Sequence, residues 1–153
     1  MKNQTCSFTG HRDISANTKQ KKRLESELRK LITQGIRYFG AGGALGFDTM
    51  AALAVLKLRE EFSHVRLILV LPCKEQTKSW DEKDKKTYKQ ILDKADKVIY
   101  TAEHYHSGCM HKRNRHLIDN SSVCICYLTN SKGGTAYTVN YARQKGLRII
   151  NLA

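Results

Sequence analysis

The chain has 153 residues, 41% hydrophobic and 27% charged, and its 27 Lys and Arg against 14 Asp and Glu give a formal charge of +13. That length and apolar content suit one domain with its own core and exclude a disordered tail or a linker, and a single proline among ten glycines excludes a collagen-like repeat. No apolar run reaches the roughly 18 residues of a membrane span, the N-terminal MKNQTCSFTG has no signal-peptide core, and the five cysteines are scattered and odd in number, so a soluble, cytoplasmic protein with reduced thiols and no membrane partner is expected.

Gln4–Thr9 is a short β-branched and aromatic run that predicts a first strand, and Gly10-His11-Arg12 follows it. Leu24, Leu28, Leu31 and Ile32 recur at helical spacing, with Gly35 as a stop. A second strand over Ile36–Ala41 leads through a glycine-rich loop, Gly42–Asp48, into a helix marked by Met50, Leu53, Ala54 and Leu58. Val65–Leu71 is the third strand. Ser79-Trp80-Asp81-Glu82 then has the form of a capping box, before a helix carrying Tyr88, Ile91, Leu92 and Ala95. Lys97–Thr101 is the fourth strand, and a helix runs from Met110 to Asn120. Ser122–Thr129, a helix from Thr135 to before Gly146, and a last strand at Leu147–Leu152 complete the chain.

Runs such as VRLILVL and VCICYL suit strands covered on both faces. Six strands alternating with five helices predict one α/β domain over residues 1–153: Rossmann-like and doubly wound, with a mainly parallel sheet, helices on both faces and right-handed crossovers. The charge-rich stretches Lys19–Lys30 and Glu82–Lys97 are interrupted by core positions at helical spacing and are expected as exposed helix faces. Cys124 and Cys126 alternate along a strand and should point together into the core.

In such sheets ligands bind beyond the carboxyl ends of the strands. The loop Ser131-Lys132-Gly133-Gly134-Thr135 opens a helix. Gly133 and Gly134 let backbone N–H groups approach an anion, and Thr135 can cap the helix or donate to a phosphate. Gly42, Gly43 and Gly46 form a turn that admits a ligand or another backbone. Their spacing departs from a dinucleotide fingerprint, because Leu45 stands where its third glycine belongs. Asp48 can accept from a ribose or base, or cap the helix. After Gly10, His11 can donate to a ligand, act as acid or base, or simply hold the turn. Arg12 offers a fork suited to phosphate. Arg113, Asn114 and Arg115 form a second polar cluster at the start of the fourth helix, and of the two arginines Arg113 is favoured to face the site. Trp80 and Tyr105 lie near strand-end loops and can stack on a base or anchor the core. His104, His106, Cys109, His111 and His116 are dense but lack metal-ligand spacing, so no metal is assigned. The basic balance invites an anionic partner.

The segments CSFTGHR, FGAGGALGFDTMAA, VLPCKEQTKSW, HKRNRHLIDNSSVCICY and KGGTAYTVNYA, in this order, resemble the YpsA-like branch of the SLOG superfamily. The resemblance extends over nearly the whole chain. The superfamily also holds the LOG-type phosphoribohydrolases and the Rossmann domain of the DNA-processing protein. It implies a Rossmann-like domain that binds a nucleotide or a nucleotide-derived, ADP-ribose-like or NAD-like ligand. The LOG motif PGGxGTxxE carries a glutamate for glycosidic chemistry, and Asn140 stands at that position here. An amide takes up no proton as a carboxylate does, so no complete catalytic motif is present. An altered N-glycosidic hydrolase would have to use His11, Asp48 or Glu75. Binding of single-stranded nucleic acid is a further alternative, and pairing of the domain with a second copy is compatible with the fold.

Overall fold

The computed structural model describes residues 1–14 and 17–153. After a 3-10 turn at Lys2–Gln4, the order is β1 (Thr5–Gly10), α1 (Thr18–Thr33), β2 (Tyr38–Ala41), α2 (Phe47–Glu61), β3 (Arg66–Leu71), α3 (Glu82–Lys94), β4 (Lys97–Tyr100), α4 (Cys109–Asp119), β5 (Val123–Tyr127), α5 (Gly134–Gln144) and β6 (Arg148–Asn151). Every pairing in the six-stranded sheet is parallel, and the strand order is β4-β3-β2-β1-β5-β6. The sheet is therefore wholly parallel where the sequence predicts a mainly parallel one.

This order fixes where a ligand can enter. The chain steps outward from β1 to β4, then returns through α4 to the other side of β1. The direction reverses between β1 and β5, so the helices leaving these two strands lie on opposite faces and open a crevice at their carboxyl ends. The ladder across the switch is continuous from Cys6 opposite Val123 to Gly10 opposite Tyr127. It brings the loop after β1 beside the loop after β5.

α1, α2 and Ile91 of α3 share one core with the sheet, built around Phe8, Phe39, Phe47 and the leucines of α1 and β3. α4 and α5 cover the other face through Ile118, Val139 and Ala142. Phe8 stacks on Phe39 at 6.1 Å and meets Phe47 edge-on at 6.3 Å. Burying each such ring contributes about 1.5–3 kcal/mol. The Phe47 ring also occupies the space beside Gly10, where a Cβ would lie 2.5 Å from it. Gly10 thus lets α2 pack close to the end of β1. Cys124 and Cys126 are buried in the second core, and all five cysteines are free and buried.

Two local expectations change. The cap of α3 is Asp81, whose carboxylate accepts from Asp84 N at 2.8 Å, so the Ser79–Glu82 capping box does not form. β5 ends at Tyr127, short of the expected Thr129. Beyond it side chains replace the ladder: Leu128 N donates to Asn151 Oδ1 and Thr129 N donates to His11 Nε2.

Candidate functional site

A cleft of about 270 Å³ lies at the switch point. Thr9, Gly10, His11, Arg12 and Asp13 reach it from β1, and Ala44 and Asp48 from the start of α2. Met110, Arg113 and Asn114 come from α4, and Gly134 and Thr135 from α5. Four separate chain segments converge here because the strand order reverses at β1.

The helix starts differ according to whether they face this cleft. α1 is capped by the Asn17 side chain, which accepts from Gln20 N at 2.9 Å, and α3 by Asp81. α2, α4 and α5 supply the cleft residues, and their N-cap positions are Gly46, Gly108 and Gly133, with no side-chain cap on any of them. The first N–H of α2 is taken by His11 O and that of α4 by His106 O, whereas first-turn N–H groups left without a cap carry the positive end of the helix dipole and need an acceptor. Gly133 has φ +100 and, with Gly134, meets no atom within 4 Å of an added Cβ, so the mouth of α5 is open. The helix begins at Gly134, one residue before the expected start. Thr135 therefore lies in its first turn and is not its cap.

Arg113 is 4% exposed. Its Nη1 donates to Gly42 O, its Nε to Asn114 Oδ1 at 2.6 Å, and its Nη2 lies 3.8 Å from Met110 Sδ. Asn114 in turn donates to Thr138 Oγ1 at 3.0 Å, and Thr138 donates to Gly134 O at 2.9 Å. A chain of hydrogen bonds thus runs from the loop after β2, through α4, to the first turn of α5. Arg115, the other arginine of this pair, points outward to Tyr137.

Asp48 is 7% exposed. Its Oδ2 accepts from Ala44 N at 3.3 Å, and its Oδ1 has no hydrogen-bond partner. Burial pushes its carboxyl above the ordinary value, while Arg113, then the Ala44 N–H and Arg12 pull it back. Burial likewise lowers Arg113, and Asp48 is the strongest influence opposing that shift.

Gly42, Gly43 and Gly46, expected to admit a ligand, do not line the cleft and are packed against protein atoms instead. A Cβ on Gly42 would lie 2.6 Å from the Arg113 guanidinium, one on Gly43 2.5 Å from Leu71, and one on Gly46, at φ +76, 2.2 Å from Arg12 O. These contacts seat Arg113 and the Arg12 backbone. His11 is fixed from both ends: its carbonyl accepts from Phe47 N at 3.1 Å and its Nε2 from Thr129 N at 3.0 Å.

Three expected residues lie elsewhere. Glu75 binds His104 Nδ1 at 3.0 Å and accepts from Tyr105 N at 3.1 Å; the hydrogen bond to His104 holds its carboxyl below the ordinary value. Tyr105 is 66% exposed beside it. Trp80 packs edge-on against Tyr88 at 5.4 Å. None of the three lines the cleft. Asn140 is exposed and accepts from Arg143 at 3.3 Å, also away from the cleft. Among the described residues, no group of three or more His, Cys, Asp or Glu is placed to hold a metal ion, and no helix is long and apolar enough to cross a membrane. Sequence reasoning placed Asn114 in a polar cluster with Arg113 and Arg115 without giving it a role, and passed over Met110 and Thr138. Their signal was helical spacing: Met110 and Asn114 are neighbours of Arg113 on one face, and Thr138 lies one turn beyond Gly134.

A wholly parallel sheet whose strand order reverses at β1, with helix starts and two arginines at the reversal, defines a Rossmann-like domain with a cleft at its switch point. The chain belongs to the YspA SLOG family, whose model matches residues 9–149. It is 34% identical to the uncharacterized SPbeta prophage-derived protein YoqJ of Bacillus subtilis, with 82% of this chain and 81% of that protein covered. It is 30% identical to a UPF0398 protein of Halalkalibacterium halodurans, covering 88% of this chain and 71% of the relative. In fold it is similar to DNA processing protein A from Helicobacter pylori, solved for its single-stranded DNA binding mode. The TM-score is 0.67 at 20% identity over 96% of this chain, which spans 64% of that structure.

Proposed function

We propose that the cleft binds a nucleotide or nucleotide-derived ligand of ADP-ribose or NAD type. Its phosphate is held by the first-turn amides of Gly134 and Thr135 and by Arg12, and Asp48 addresses the ribose or base. The observation that carries this reading is the open mouth of α5 at the cleft, with Gly133 as its N-cap, no side-chain cap and nothing beside Gly133 and Gly134, while α1 and α3, which do not line the cleft, are capped by side chains. Asp48 supplies an independent pointer, as a buried carboxylate with an unpartnered oxygen on the same wall. Charge-assisted hydrogen bonds to phosphate suit the overall charge of +13.

Single-stranded nucleic acid is the second reading, supported by the likeness to DNA processing protein A and by the net charge. Strand binding also calls for aromatic side chains on which bases stack, and Trp80 and Tyr105 do not line the cleft. Calorimetric titration with AMP, ADP-ribose and NAD, with adenosine as the control without phosphate, tests the first reading. The Gly134→Asp variant places a carboxylate at the mouth of α5, where it suits the helix dipole but repels phosphate. Saturable binding of the phosphorylated ligands, lost in that variant while its melting temperature is kept, is the expected result. Binding of an oligothymidylate that survives both the variant and physiological salt would favour the second reading. Release of free base during the titration would make the cleft hydrolytic, with Asp48 and not Glu75 as the carboxylate within reach.

A further inference from the structure

We infer that the Asp48–Arg113 pair reads a ribose hydroxyl, so that the cleft selects ribonucleotides over their deoxy counterparts. The inference rests on the cleft being a phosphate site and adds its sugar specificity.

Asp48 and Arg113 both line the cleft and both are more than nine-tenths buried. Each carries the strongest charge acting on the other, yet no N···O contact within 4.0 Å joins them. Opposite charges buried this close, with water shut out, gain most from direct contact. Here each is held back by other bonds: Arg113 by Gly42 O and Asn114, Asp48 by Ala44 N. What remains is an Asp48 oxygen without a donor and a guanidinium with N–H groups to spare, on two residues that line one cleft.

A group that both accepts and donates completes this arrangement. A hydroxyl accepts from the guanidinium and donates to Asp48 Oδ1, spanning an N···O separation of about 4.5–5.5 Å from two ordinary hydrogen bonds. A phosphate oxygen satisfies only the arginine, and an aliphatic C–H satisfies neither. The size of the cleft agrees. At about 270 Å³ it lies just below the usual range for small-molecule sites, enough to enclose a sugar phosphate, with the rest of a larger ligand lying outside it. With phosphate at Gly134 and Arg12, the enclosed remainder of a nucleotide is its pentose, and the base extends outward.

The discrimination follows from what a missing hydroxyl leaves behind. A ribose hydroxyl gives Asp48 Oδ1 the donor it lacks in the free protein, whereas a deoxy sugar leaves it unpaired, and that difference favours the ribonucleotide.

The test is calorimetry on the full chain with AMP, 2′-deoxy-AMP and 3′-deoxy-AMP, with ribose 5-phosphate as the minimal probe. At least one deoxy nucleotide should bind about tenfold or more weaker than AMP, which corresponds to one lost hydrogen bond. Ribose 5-phosphate should compete with AMP, and the ribo/deoxy ratio should collapse towards one in Asp48→Asn. The wild-type comparison stands even if that variant folds poorly. Equal binding of AMP and both deoxy nucleotides overturns the sugar reading and leaves the phosphate site intact. Failure of all three, and of ribose 5-phosphate, to bind removes the phosphate site itself and the inference with it.

Discussion

Replacing Arg113 by Met tests the electrostatics of the cleft most directly, because it keeps a long unbranched side chain and removes only the guanidinium. The charge-assisted hydrogen bond to Gly42 O is lost, about 1.5–3 kcal/mol. Asp48 also loses the largest influence that pulls its carboxyl down. Breaking a buried charge pair from one side costs about 3–5 kcal/mol, so at pH 7 we expect a loss of about 4 kcal/mol, or about 10 °C in melting temperature for a domain of this size. The pH dependence separates the two causes. The folded Asp48 carboxyl already titrates above its unfolded value near 3.8, so its burial costs stability as pH rises through and beyond that range. Without Arg113 the folded value moves higher still, and the cost above it grows. Below both values Asp48 is neutral in either protein and only the lost hydrogen bond remains. Urea denaturation of wild type and Arg113→Met at pH 4 and pH 7 should therefore show a destabilisation smaller by about 1–2 kcal/mol at the lower pH. Adding Asp48→Asn should recover about the same amount at pH 7. A destabilisation constant between the two pH values, with no recovery in the double variant, would refute the coupling.

Gly46→Ala should lose about 3 kcal/mol, because its Cβ would fall 2.2 Å from Arg12 O at φ +76; a urea midpoint matching wild type would contradict the packing at this turn. Gly134→Asp should instead match or slightly exceed wild-type stability in the same assay, since nothing lies within 4 Å of a Cβ there and an acidic residue suits a helix start. Asn114→Ala cuts the link from Arg113 to Thr138 and should cost about 1–2 kcal/mol, with faster amide hydrogen exchange in the first turn of α5 than in α3; exchange unchanged in α5 would show that Asn114 does not brace it. The five buried thiols should react with an aromatic disulfide reagent only as the fold opens, because burial raises Cys6 and Cys124 well above the ordinary range and Cys126 to about 11. Rapid labelling of any thiol in the native protein at pH 8 runs against that expectation.

The amino-acid sequence alone determined the order and kind of the elements. Leu24, Leu28 and Leu31 at helical spacing, and VRLILVL as a doubly covered strand, depend on side-chain periodicity, which is local. It also singled out Gly134, Arg12, Asp48 and Arg113, which line the cleft, because loops after parallel strands are where ligands meet the sheet. Which of those loops share one cleft was decided only by the tertiary structure. β1 and β5 are neighbours through a crossover of more than a hundred residues, and nothing local to either strand fixes that pairing. The same holds for partners: Glu75 looked equivalent to Asp48 until the fold turned it towards His104. Gly42 looked like room for a ligand until Arg113, 71 residues away, filled it. Burial, charge compensation and unpaired hydrogen-bonding groups depend on what lies across space, so the chemistry of the cleft emerges only once the chain has closed on itself.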